Sequence, residues 1–182
     1  MRSKWTLVVG LCLALVVPAG AFAGAPASTS KQDTAVAYYL SPDGSECLIM
    51  TLTQGLYRPI GGDAWSYGQA LDVQLAGVDC VGNAFGSASL DSSSYRIFGL
   101  TAAYVVVPSV DVEGRAVSVD VAWVATGTPK LEIEGTDQHP DWSFVGKDVG
   151  AHLTGMVLVE GVAWTANQED AILRSFAVSK NF

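Results

Sequence analysis

The richest run of hydrogen-bonding and metal-ligating side chains is Thr136 to Trp142, TDQHPDW, in which Asp137, His139 and Asp141 fall on alternate positions. Two carboxylates and an imidazole that met in a loop could take a zinc-like ion, with His152 as a further nitrogen ligand from another strand. The spacing matches no metal signature, and a solvated turn that opens a strand uses the same residue types. The expectation is a turn, with no cofactor.

A second run, GGDAWSYG at 61–68, places Trp65 and Tyr67 beside Asp63, with Tyr57 and Arg58 just before them. Rings next to a carboxylate suit a glycan, because rings stack on sugar faces and carboxylates accept from hydroxyls; Trp142 offers a third platform. The competing reading folds Trp65 and Tyr67 back over the end of a core, since large aromatics are more often buried than displayed.

Motifs for other chemistry are missing: there is no G-x-S-x-G elbow, no H-E-x-x-H, no phosphate-binding glycine loop and no dinucleotide fingerprint. His139 and His152 are the only histidines, so Ser-His-Asp or Cys-His catalysis has little to draw on. Carboxylates such as Asp63, Asp137 and Asp141 keep a small carbohydrate-active enzyme as an alternative, because glycoside hydrolysis needs only two suitably spaced carboxylates. The residues favour a non-enzymatic module.

These loops need a scaffold, and its first feature is an address. MRSK, the apolar run Leu7 to Val17 and the small-residue exit PAGAFA form a secretory signal peptide, with cleavage expected after Ala23. Cys12 leaves with it. The run is too short to span a bilayer. Residues 1–23 are thus signal, 24–33 (GAPASTSKQD) a flexible leader, and 34–182 one domain. The formal net charge of −8 becomes more negative once Arg2 and Lys4 are removed. Nucleic acid and anionic membrane surfaces repel such a chain at long range, which leaves a protein or glycan partner, or a second copy of the chain.

Cys47 and Cys80 then enter an oxidising compartment, extracellular, cell-surface or periplasmic, where a pair is bridged rather than free. No C-x-x-C spacing points to redox work. A bridge encloses the 61–68 run and would restrict its freedom.

The domain reads as strands. Ser41-Pro42-Asp43-Gly44 turns Ala35–Leu40 back onto Glu46–Gln54, where Leu48, Met50 and Leu52 share one face. Leu71, Val73 and Leu75 alternate with polar residues, as do Val117, Val119, Val121 and Trp123, and Leu131 and Ile133. Tyr104–Val107 and Met156–Val159 are apolar at successive positions and read as interior strands covered on both faces. Only 167–170 offers a helical turn. The fold expected is all-β: a single-domain antiparallel β-sandwich or closed β-barrel of about ten strands with one disulfide.

The order VSVDVAWVATGTP, HLTGMVLVEGVAW, AILRSFAVSK resembles the C-terminal part of uncharacterised secreted bacterial β-domain proteins. The resemblance covers the last third of the chain, implies a secreted β fold and brings no catalytic residue with it. The same region ends like the last strand of an outer-membrane barrel, with Ile172, Phe176, Val178 and Phe182 on one face, but Arg174 and Lys180 share that face and lipid-facing charge is costly. Membrane insertion is disfavoured. The reading is an exported, disulfide-stabilised module acting in binding or surface assembly.

Overall fold

A computed structural model describes residues 30–57, 66–77, 80, 84–90, 93–136 and 142–180. All regular structure among them is strand: β1 (Ser30–Leu40), β2 (Glu46–Tyr57), β3 (Ser66–Gly77), β4 (Ala84–Ser89), β5 (Tyr95–Ile97), β6 (Ala102–Val112), β7 (Arg115–Ala125), β8 (Lys130–Thr136), β9 (Trp142–Val159) and β10 (Val162–Lys180). They form one antiparallel sheet in the order β4-β3-β2-β1-β10-β9-β7-β6-β5, with β8 pairing β9 beside this path. The sheet curls into a half-barrel. Strands from the two ends of the chain, β1 and β10, lie side by side at its centre.

Period-two alternation builds the interior. Leu48, Met50 and Leu52 of β2 and Leu71 and Val73 of β3 are fully buried, and so are Trp123 of β7 and Leu173 of β10. Across this core Trp123 Nε1 donates to the Val36 carbonyl at 3.0 Å, in a wholly buried bond. That carbonyl sits at an irregularity in the β1–β10 ladder between Val36 and Tyr38. The indole therefore serves a backbone group next to which regular pairing fails.

Side chains also close the curl. Arg115 of β7 grips both carboxylate oxygens of Glu46 on β2, at 2.7 and 3.2 Å. Gln54 of β2 accepts from the Ile97 backbone N–H of β5 at 3.2 Å. Between them β4 crosses β6 so closely that a Cβ on Gly86 would lie 2.2 Å from the Asp111 carbonyl oxygen. Only a residue without a side chain fits there.

The disulfide forms between Cys47 and Cys80, with Cα atoms 5.2 Å apart. Its place in the sheet is at one end of the β2–β3 ladder. Cys47 pairs with Ala76, whereas Tyr57 pairs with Ser66 at the far end of the same ladder. Ten residue steps, about 33 Å of strand, separate the two ends, and most of the 61–68 run that the bridge was expected to restrict lies outside the described residues.

Four expectations change. Val106 and Met156 are 47% and 54% exposed, so 104–107 and 156–159 are not covered on both faces; successive apolar residues point alternately in and out, and the outward ones face water. Leu131 is likewise 54% exposed, beside a register shift in β8. The 167–170 stretch is a bulge within β10, where Asn167 accepts from the Glu169 N–H and donates to Asp170. Pairing also starts earlier than Thr34: β1 begins at Ser30, opposite Val178.

Candidate functional site

Two of the residues proposed for binding, Tyr67 and Trp142, have a place in the ladders, at one end of the sheet. Tyr67 pairs with Leu56 near the start of β3, and Trp142 pairs with Lys180 at the start of β9; their side chains lie outside the described residues. Asp63 and Trp65, between β2 and β3, and Asp137, His139 and Asp141, between β8 and β9, lie outside the described residues altogether. Among the described residues no group of three His, Cys, Asp or Glu could hold a metal ion.

That same end carries a feature the sequence does not announce. Ladder pairing sets Lys147 opposite Ser175, Ser175 opposite Asp33, Asp33 opposite Gln54 and Gln54 opposite Gln69. This polar row crosses five consecutive strands on the core side of the sheet. Two residues deeper, the same strands present Val149, Leu173, Ala35, Leu52 and Leu71, all buried. The interior thus changes from hydrogen-bonding to apolar within one row.

Three members of the row have defined partners. Gln69 Nε2 donates to the Leu90 carbonyl at 3.3 Å, and Gln54 Oε1 is engaged by Ile97, so both amides are held in place. Asp33 Oδ2 accepts from Lys31 Nζ at 3.0 Å. Asp33 Oδ1 is buried without a hydrogen-bond partner among the described residues. A carboxylate oxygen in that state favours any donor brought to it, since an unmet buried acceptor costs about 1–3 kcal/mol.

The opposite end carries a second cluster. Two hairpins turn there through the same dipeptide, Glu113-Gly114 and Glu160-Gly161, and all four residues take positive φ. Such two-residue turns match the twist of the paired strands, and glycine fills one of their positive-φ positions without strain. Arg115, just after the first turn, binds Glu46, lies 3.8 Å from Glu160 and stacks over the Trp164 ring at 6.0 Å. The hydrogen bonds it donates to Glu46 push the guanidinium pKa upward against the opposing effect of burial. Beside it, hydrogen bonds from the Ser41 hydroxyl and from the Ser45 N–H and hydroxyl lower the Asp43 pKa from 3.8 to about 2. Two shallow depressions of about 320 Å³ flank the Glu46–Arg115 pair; Asp43, Glu46 and Glu160 line one, Glu46 and Glu113 the other. The repeated Val-Glu-Gly of residues 112–114 and 159–161 was the available signal for this end.

No protein-family model matches the chain. No curated protein matches it either. Among solved structures, a Nitrosomonas europaea protein provisionally named AttH is 10% identical, with a TM-score of 0.37; the match covers 92% of this chain and 58% of that one. This chain therefore spans less than two thirds of that protein's length.

Proposed function

We propose that the protein is an exported, disulfide-stabilised, non-enzymatic binding module that takes a hydroxyl-rich ligand, such as a glycan, at the end carrying the polar row. The observation that supports this is the row itself: amides, a hydroxyl, an ammonium and a carboxylate on five neighbouring strands above an apolar floor. Sugars offer hydroxyls to such groups and apolar ring faces to what lies beneath, and binding sites of this kind combine few polar groups with apolar lining. Tyr67 and Trp142 pair within strands at that same end, and Trp65 precedes Ser66 of β3 in the sequence.

We also read the half-barrel as an incomplete barrel rather than a sandwich. The ties from Arg115 and Gln54, and the Gly86 contact, join the β4–β2 side of one curled sheet to its β7–β5 side. The filled apolar interior, the reverse of a porin's polar lumen, and the Arg174–Asp148 ion pair on the outer surface favour a water-facing exterior.

The test is calorimetric titration of exported protein with a panel of soluble oligosaccharides. Saturable binding that Asp33→Asn and Ser175→Ala weaken, with Asp120→Asn as an unaffected control, supports the proposal. Binding untouched by both row variants, or none across the panel, sinks it. The carbohydrate-active alternative is favoured by one observation: Asp43, Glu46 and Glu160 line a common depression. Glu46, however, gives both oxygens to Arg115. Sugar release from the same oligosaccharides, abolished by Glu160→Gln, would establish that alternative instead.

A further inference from the structure

The polar row has a fixed order of donors and acceptors. Gln54 Oε1 accepts from the Ile97 N–H, which leaves its Nε2 to donate. Gln69 Nε2 donates to the Leu90 carbonyl, which leaves its Oε1 to accept. A backbone N–H can only donate and a carbonyl can only accept, so neither amide can be reversed. Asp33 adds the buried acceptor Oδ1, Ser175 a hydroxyl and Lys147 an ammonium with three donors. From β3 to β9 the row reads acceptor, donor, acceptor, hydroxyl, cation.

Lys147 differs from the other cations whose side chains are described. Carboxylates hold Lys31, Arg115 and Arg174. Arg96 stands between buried Tyr95 and Ile97 and so points away from the core, and Lys130 lies opposite Asp148, which binds Arg174 on the outer surface. Lys147 is exposed on the core side of the sheet and makes no ion pair or hydrogen bond among the described residues. Its neighbour across the β8–β9 ladder is Leu131, an apolar side chain that is 54% exposed. The row's one carboxylate, Asp33, lies two strand spacings away, about 10 Å, which exceeds the Debye length of about 8 Å at physiological salt. Lys31 already compensates that carboxylate. Two ammonium groups therefore stand against one carboxylate here, in a chain whose net charge is −8.

We propose that the row selects acidic glycans, with the carboxylate of a uronic acid on Lys147 and ligand hydroxyls on Ser175, Asp33 Oδ1 and Gln54. This deepens the glycan reading of the row and rests on it. The charge count sets the class of anion: one ammonium neutralises one carboxylate, whereas a phosphate dianion would bring an uncompensated charge to an acidic chain. Strand spacing sets the size. Lys147 and Gln54 are three strand spacings apart, about 14 Å, so a ligand that meets both is an oligosaccharide lying across the strands rather than a single sugar. Leu131 beside the ammonium gives the apolar face of the acidic ring a surface to rest on.

Short oligogalacturonates and oligomannuronates, each compared with its own methyl ester, test this by calorimetric titration of the exported protein. The ester keeps the hydroxyls and removes the charge. The acid of at least one pair should bind about tenfold tighter than its ester, as expected for one charge-assisted contact, and the gap should narrow as salt rises. Lys147→Gln should close the gap by weakening the acid alone, and Lys147→Arg should keep it. Circular dichroism should show both variants folded, because the site is exposed. Esters that bind as tightly as the acids overturn the proposal, and so does a preference that survives Lys147→Gln. In either case the glycan reading stands. Binding of neither acid nor ester, with neutral oligosaccharides also silent, ends both.

Discussion

Trp123→Phe tests whether the core tie between β7 and β1 carries the weight the geometry gives it. The substitution keeps an aromatic ring in a site that is 0% exposed, yet removes the Nε1–H that serves the Val36 carbonyl. An acceptor left buried and unpaired costs about 1–3 kcal/mol. Shrinking the bicyclic ring leaves a void worth about 1–2 kcal/mol, below the 3–5 kcal/mol of full truncation. Together these come to roughly 2–5 kcal/mol, or a Tm lower by about 5–20 °C for a domain of this size. Urea unfolding followed by circular dichroism reads the change, with Phe98→Leu on the outer face as a control expected to stay within about 0.5 kcal/mol. A loss under about 1 kcal/mol for Trp123→Phe would mean that water or a shifted backbone serves Val36 equally well.

Removing the bridge with Cys47→Ala and Cys80→Ala should cost about 4 kcal/mol in the chain-entropy account of a 33-residue separation; ligand titration at the polar row should stay unchanged, because the bridge sits at the other end of β2. Gly86→Ala should destabilise by about 2 kcal/mol or more, since its Cβ would meet the Asp111 carbonyl, whereas Gly127→Ala, which meets nothing within 4 Å, should be near neutral in the same melt. Asp43 gives a pH signature: its folded pKa lies below the ordinary value of 3.8, so its stabilisation is complete above about pH 4 and fades as pH falls toward about 2. A carbon-detected NMR titration should place its carboxyl midpoint near that lower value, and Ser41→Ala should move the midpoint back up.

Local order was legible in the sequence, long-range order was not. Alternation in Leu48–Leu52 and Val117–Trp123 announced strands, Pro42-Asp43-Gly44 announced a turn, and two cysteines behind an expected signal peptide announced a bridge; each signal lies within a few residues or in the expected compartment. The polar row has no such signature. Asp33, Gln54, Gln69, Lys147 and Ser175 lie far apart in sequence, and each read singly is an ordinary polar residue in a strand. Only the register, a property of strand pairs, puts them in line. The same holds for Arg115 and Glu46, which meet across 69 residues. β9 and β10 were harder still, because Gly146, Gly150 and Gly155 and the 167–170 bulge break the period that identifies a long strand.

The pairing of β1 with β10 has a consequence for how the molecule forms. The hairpins β1–β2 and β6–β7 can close as soon as they are made, but the centre of the sheet waits for the strand synthesised last among those described. Until then β1 offers an unpaired margin to water, and folding depends on a contact of very high sequence separation. Ser30 and Val178 end up as ladder partners, so a circular permutant that joins the two and opens at Glu113-Gly114 would convert the slowest contact into a hairpin and should fold faster with the same sheet.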